Sequence, residues 1–317
     1  MFDVLAISEV LVDIVADNAP AGCSWNFSAH PGGAPANVAV GVARLGGRAG
    51  FLGAVSSDAF GRWLTRILEQ EGVDTAWCPV YDLPTTLAFV TLDECGERSF
   101  SFYRTATSDT ALRPEDVPHA PIVASRAVHV CSVSLSREPA REATKIAIRR
   151  AKEAGCFVSF DVNLRPALWE DMAEAQAHIM DVVEQADLIK MTVQELQFLR
   201  RDGDLERLIR EADSKRRKLW VVTGGSSATR YAYGDVRGEI LPFPVKAVDT
   251  TGAGDAFVAA LLVHLARHGF EPPTQPVLEA GIRFAHAAAA CCVQKLGAIP
   301  ALPTLKETVQ LLQKLTE

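Results

Sequence analysis

Short apolar runs alternate with amphipathic stretches along most of the chain. Residues 4–7, 50–55, 127–133, 157–162, 188–191 and 219–223 are rich in Val, Ile and Phe and read as buried strands. Between them, residues 61–71, 138–154 and 172–186 read as helices. In the second of these Ala143, Ile146, Ala147 and Arg150 recur at helical spacing, and Gly155 follows as a C-terminal cap. Strand, helix, strand in succession predicts an α/β fold, a mostly parallel sheet with helices on both faces.

Two regions break this rhythm. Residues 85–92 and 98–104 are β-rich and flank Asp93-Glu94-Cys95-Gly96, a hairpin signal. Residues 18–30 form a polar excursion punctuated by Gly and Pro soon after the first strand. Neither continues the parallel core, so residues 11–30 and 85–104 are expected to form a small β lid on a single domain spanning 1–317.

Composition narrows the class. Of 317 residues, 48% are hydrophobic and 22% charged, which excludes a largely disordered chain. The net charge of -7 and pI near 5.6 give no global field to recruit nucleic acid. The basic run Lys215-Arg216-Arg217-Lys218 follows an acidic helical stretch and reads as a solvated helix end. The first residues, MFDVLAISEVLVDIV, place Asp3 and Glu9 inside the apolar run without a basic start, so no secretory signal is expected. Residues 256–266 are too short to span a bilayer and contain His264, so no membrane partner is expected. Seven cysteines without a C-x-x-C pair suggest reduced thiols in a cytoplasmic protein, with Cys291 and Cys292 as small core residues.

The sharpest chemical signal is Asp249-Thr250-Thr251-Gly252-Ala253-Gly254-Asp255, followed at once by an apolar helical run. Small residues before a strong helix former let the backbone turn tightly and aim several N–H groups at one point. The helix dipole adds positive potential there, making a phosphate site. Asp255 falls in the first turn, where the dipole favours its ionised form, and in phosphoryl transfer it can accept the proton of an attacking hydroxyl. A second signal, Pro31-Gly32-Gly33-Ala34-Pro35-Ala36-Asn37, opens a helix that Pro35 starts and Gly46 ends. Gly32 and Gly33 are expected to let ligand hydroxyls approach the backbone. There is no Walker A pattern. His264 and His268 lack a third ligand at a recognisable spacing, so they read as a helix C-terminus.

Together these stretches resemble the ribokinase-like, or PfkB, family of carbohydrate kinases. Residues 32–47 resemble its N-terminal signature and 249–262 its C-terminal one, and the likeness extends over nearly the whole chain, most closely to its bacterial fructokinases. The resemblance implies an ATP-dependent kinase acting on a sugar primary hydroxyl, fructose to fructose 6-phosphate, with Mg²⁺. Kinases of 2-keto-3-deoxygluconate and of aminoimidazole riboside are the alternatives within the family, and a non-catalytic sugar or nucleoside sensor is the alternative outside it. The implied roles fall on named residues. Asp255 is the base, and Gly252, Ala253 and Gly254 form the anion hole. Asp13, Gly32, Gly33, Asn37, Phe102, Arg104, Asn163 and Arg165 face the sugar. Arg165, in Asp161-Val162-Asn163-Leu164-Arg165, also reaches the phosphates, for which its forked donor is suited. Lys190, Glu195, Thr223, Gly225, Gly252, Gly254 and His286 serve ATP, Glu195 through Mg²⁺-bound water. Asp249, Thr251, Cys292, Lys295 and Gly297 resemble a K⁺ loop, and the lid resembles one that pairs subunits into a homodimer. Three positions depart from the family pattern: Ala228 for a frequent glycine, His286 for a frequent adenine-side asparagine, and Thr105-Ala106-Thr107-Ser108-Asp109 for a proline-containing P-x-A-D.

Overall fold

A computed structural model describes residues 1–17, 24–92, 98–212 and 218–314. Eight strands form one sheet, in the edge-to-edge order Val236–Ile240, Ser227–Tyr233, Leu219–Gly224, Leu188–Thr192, Phe157–Asp161, Ser125–Cys131, Phe2–Ile7 and Ala49–Leu52. The six strands from Leu219–Gly224 to Ala49–Leu52 are parallel, and the other two return antiparallel at one edge. Continuous apolar runs suit strands covered on both faces, and the core is accordingly divided by the sheet. One layer packs under Ala34–Arg44, Ala253–Arg267 and Gln275–Cys292. The other packs under Ala140–Glu153, Met172–Gln185, Val193–Leu199 and Leu205–Ala212.

Each predicted strand is present, with one division. The run 50–55 is two strands, Ala49–Leu52 and Val55–Ser56. A Cβ at Gly53 would lie 2.2 Å from the Ser8 carbonyl oxygen, so the chain turns at the one residue that fits there. The helix Ala140–Glu153 buries Ala143, Thr144, Ala147, Ile148 and Ala151 rather than Ile146 and Arg150. Its apolar stripe is thus centred a little to one side of the expected one. Gly155 follows it with φ 72, the left-handed conformation that ends a helix.

A second sheet has the order Phe27–Gly32, Leu11–Ala16, Leu87–Leu92, Arg98–Tyr103. The hairpin turn at 93–97, residues 18–23 of the polar excursion and Lys215 to Arg217 lie outside the described residues. Lys218 is not solvated, contrary to the reading of its run as a solvated end. It is buried, and its Nζ donates to the carbonyls of Val183, Glu184 and Ala186 at 2.7–3.0 Å, closing the end of Met172–Gln185. Cys78, Cys131, Cys156, Cys291 and Cys292 are free thiols, and the last two are buried as expected. Among the described residues no helix is long and apolar enough to cross a membrane.

Candidate active site

Polar groups gather at the carboxyl ends of the parallel strands. Asp161 pairs in register with Cys131 on one neighbouring strand and with Lys190 on the other. Partners across strands point to one face, and for Asp161 and Lys190 that face lies under the start of the helix Ala253–Arg267, where Gly254 approaches Lys190. Lys190 Nζ donates to both carboxylate oxygens of Asp161, at 3.1 and 3.0 Å, and both residues are buried. Burial alone would push the Lys190 ammonium down, but the Asp161 charge and then the more distant Glu195 hold it above its ordinary range.

Above this pair sits the motif 249–255. Gly252 caps the helix with φ 77, and a Cβ there would lie 3.0 Å from Ala298 Cα. A Cβ at Gly254 would come 3.2 Å from Lys190 Nζ, so the glycine lets the helix start directly over the ammonium. The Ala253 N–H donates to the Thr250 carbonyl at 3.3 Å, whereas the Gly254 and Asp255 N–H groups have no protein acceptor among the described residues. The open donors of this helix start are therefore those of Gly254 and Asp255, and less that of Ala253.

Asp255 occupies the third helical position, and its Oδ2 accepts a hydrogen bond from Asn37 Nδ2 at 2.8 Å across 218 residues of sequence. Its pKa is pushed up to about 6, first by burial and further by the Asp161 charge, against the pull of Asn37, Lys190 and Arg165. Position in the first turn favours the ionised form, but loss of hydration outweighs it. Asn37 is buried, and its Oδ1 has no hydrogen-bond partner among the described residues.

Asp249, six residues earlier, is a different kind of acid. Its Oδ1 accepts from Thr251 N and Oγ1 at 2.8 and 2.7 Å, and its Oδ2 accepts from Gly297 N at 2.9 Å. Cys292 Sγ lies 3.6 Å from the Thr251 carbonyl, so these four residues of the expected K⁺ loop meet. The Lys295 side chain instead reaches Glu307 Oε1 at 2.7 Å.

The other expected positions are distributed around this centre. In the second sheet Asp13 lies opposite His30 and Ala88, and Ala88 lies opposite Phe102, so period two puts Asp13 and Phe102 on one face. Gly32 has a more specific reason than ligand approach, since a Cβ there would lie 2.3 Å from Asp13 Oδ2. Arg104 is buried and donates to Asp109 Oδ2 at 2.7 Å, to Ser136 Oγ at 2.7 Å and to the Val133 carbonyl at 3.2 Å. The Ser108-Asp109 that replaces the family's proline-containing stretch thus holds the foot of the hairpin. Asn163 is buried with φ 36, and its carbonyl accepts from Ser132 Oγ at 3.3 Å. Arg165 is exposed, near enough for its charge to act on Asp255.

Glu195 completes a capping box with Thr192 at the start of Val193–Leu199. Its Oε1 also accepts from Leu164 N at 2.8 Å, which ties that helix to the segment before Arg165. Thr223 is the last residue but one of its strand, with Oγ1 3.4 Å from the Met191 carbonyl, and Gly225 lies in the following turn with φ 64. Ala228 stands beyond that turn, inside Ser227–Tyr233. His286 is buried edge-on to Phe257, 5.4 Å between ring centres, and burial pushes its pKa down to about 4. Its Nε2 has no hydrogen-bond partner among the described residues.

Taken together, a poised carboxylate at a helix start, an adjacent buried ammonium and open backbone donors suit transfer of an anionic group to a hydroxyl. The model of the pfkB family of carbohydrate kinases matches residues 1–305. The chain belongs to that family. It is 41% identical to fructokinase-1 of Zea mays over 316 residues, covering 98% of each chain. Its fold superposes with a TM-score of 0.94 on a fructokinase with bound ATP from Xylella fastidiosa, at 34% identity over the whole of both chains. A fructokinase from Vibrio cholerae O395, with fructose, ADP and calcium ion bound, superposes with a TM-score of 0.84 at 33% identity over 98% of each chain. The protein is thus an ATP-dependent carbohydrate kinase of ribokinase type. Two acids of this kinase's site were not singled out from sequence. Asp161 was visible as the first letter of the D-x-N-x-R stretch, and Glu9 only as a charge inside an apolar run.

Proposed function

We propose that this kinase transfers the γ-phosphoryl group of ATP to the 6-hydroxyl of fructose. The observation that carries the reading is the Asn37–Asp255 hydrogen bond, which joins the two family signatures in one site. Asp255, with a pKa near 6, is ionised at neutral pH yet basic enough to take a hydroxyl proton. As the fructose oxygen bonds to the γ-phosphorus, the bond from that phosphorus to the β–γ bridging oxygen breaks, ADP leaves, and the proton ends on Asp255. The amides of the Gly252–Asp255 helix start and the Lys190 ammonium face the charge that spreads over the phosphoryl oxygens.

Asp13, Phe102 and the Gly32–Asn37 turn hold the sugar, and closure of the second sheet over it excludes water. Arg165 serves both the sugar and phosphates. Thr223, Gly225 and His286 line the nucleotide side, where the His286 Nε2 is a polar atom awaiting a partner. Mg²⁺, when bound, would neutralise charge on the phosphates. Glu195, with each oxygen already accepting one backbone N–H, fits a role through the metal's waters rather than direct ligation. A monovalent cation such as K⁺ fits the loop of Asp249, Thr251, Cys292 and Gly297, with Lys295 contributing only main chain.

The outer face of the second sheet supports a homodimer. Phe27, Phe89 and Tyr103 lie on the face opposite Asp13, and with Trp25 they form a row of ring contacts 4.8–5.5 Å between centres. Tyr103 is 65% exposed.

The test is ADP release on a panel of fructose, ribose, 2-keto-3-deoxygluconate, adenosine and aminoimidazole riboside, with Mg²⁺ and with or without K⁺. Fructose is expected to give the highest kcat/KM. Strong turnover of another acceptor beside a flat response to fructose overturns the substrate while leaving the kinase intact.

A further inference from the structure

The helix Ala34–Arg44 carries Asn37, yet it lacks a cap of its own. Its N-cap is Gly33, with no side-chain cap bond and no acid in the first turn. Four N–H groups at a helix start need acceptors, and an uncapped start frays. The missing acceptor comes from 25 residues upstream. Glu9 Oε1 accepts the N–H of Ala34, the first helical residue, at 3.2 Å.

Glu9 is only 2% exposed, and two further donors reach its carboxylate. Ser8 Oγ donates to Oε2, and Cys131 Sγ lies 3.6 and 3.5 Å from the two oxygens. Its backbone is equally committed. Gly33 has φ 106, and a Cβ there would lie 2.7 Å from the Glu9 carbonyl oxygen and 2.9 Å from Val10 Cα. Residues 8–10 are also the crossing from the first strand of the main sheet to the first strand of the second sheet, which begins at Leu11 and carries Asp13. They leave the main sheet beside Ser125–Cys131, where the strand order reverses and open α/β sheets bind their ligands.

We propose that Glu9 is a positioning residue for the sugar acceptor, its carboxylate holding the Gly33–Ala34 turn, and so Asn37, in fixed relation to the strand that presents Asp13. The inference rests on the reading of Asp13 and Asn37 as acceptor contacts. One carboxylate buried at the crossing then sets the spacing between the two halves of the sugar site. ATP is bound by other elements and is indifferent to it.

The experiment uses the full-length protein with E9Q, Ala34→Pro and the double variant. Ala34→Pro deletes the N–H that Glu9 accepts while leaving Glu9 intact, and proline is at home at the first helical position. Ala34→Pro is expected to raise KM for fructose roughly tenfold, the size of one buried charged hydrogen bond, and E9Q, which keeps a neutral acceptor, to raise it less. KM for ATP should stay within about twofold, and amide hydrogen exchange should quicken at Ala36 and Asn37. The double variant should match Ala34→Pro alone, since the Gln oxygen that E9Q leaves then has no Ala34 N–H to accept. Unchanged fructose KM and unchanged exchange in Ala34→Pro overturn the proposal, as do effects of the two substitutions that multiply. Should E9Q fail to fold, Ala34→Pro decides alone. If the wild-type chain turns over a different acceptor, the fructose reading fails, and the exchange measurement together with KM for that acceptor still judges Glu9.

Discussion

The proposed phosphoryl and acceptor ends of this site are built on opposite plans. At the phosphoryl end Asp161 and Lys190 are buried on strands of the main sheet, and Asp255 is half-buried at the start of a helix whose following residues belong to the apolar core. At the acceptor end Asp13 and Phe102 stand on a four-stranded sheet whose other face carries exposed aromatic rings. Chemistry that depends on a shifted pKa needs the dry, rigid surroundings of the first plan. Recognition that admits a sugar and then shuts out water needs the second. Two acids six residues apart show the same contrast in miniature. Both Asp249 oxygens are taken by N–H and O–H donors of the loop, whereas Asp255 takes a single protein donor and keeps capacity for a proton.

The comparison breaks most visibly if Asp255 is replaced. Asp255→Asn keeps the shape and the contact with Asn37 but removes the base, and kcat is expected to fall by about 10²–10⁴-fold. KM for both substrates should move little. Steady-state rates near wild type would assign the proton to another group.

A smaller effect is expected at the acceptor end. Tyr103→Glu puts a charge in the outer aromatic row without disturbing the core, since Tyr103 is already exposed. In a two-fold dimer each substitution counts twice, so the dimer Kd should rise by on the order of 10-fold or more. Light scattering across a dilution series reads this directly. A mass that does not change with the substitution moves the subunit contact elsewhere, and a monomeric wild type removes it.

How much of this was legible in the sequence follows the same division. The parallel strands and the 249–255 loop are local patterns, each specified by neighbours in the chain, and they stand where periodicity and glycine spacing put them. The Asn37–Asp255 bond joins residues 218 apart, and no local pattern announces it. Burial was the other blind spot. The dipole argument predicts an Asp255 that ionises readily, and only the packing of the helix against the sheet reveals that desolvation prevails. Lys218 was misread for the same reason, because a basic run looks solvated until the carbonyls at the end of Met172–Gln185 are seen around it. Glu9 required both kinds of information, a contact across 25 residues and the knowledge that its turn lacks a cap.

The finest test measures how the acceptor end tunes the base. In the wild type kcat/KM should rise with pH through an inflection at about 6, because the base works only when Asp255 has lost its proton. The Asn37 amide donates to the ionised carboxylate and so lowers that pKa. Removing the donor in Asn37→Ala leaves burial and the Asp161 charge less opposed, so the pKa climbs and the acid limb moves to higher pH. One hydrogen bond to a charged group corresponds to on the order of one pH unit. The direction separates this role from simple loss of sugar contact, which lowers kcat/KM equally at every pH. A pH–rate profile of Asn37→Ala that is lower but parallel to the wild type would mean that Asn37 touches the sugar alone, and that the two ends of the site are electrostatically independent.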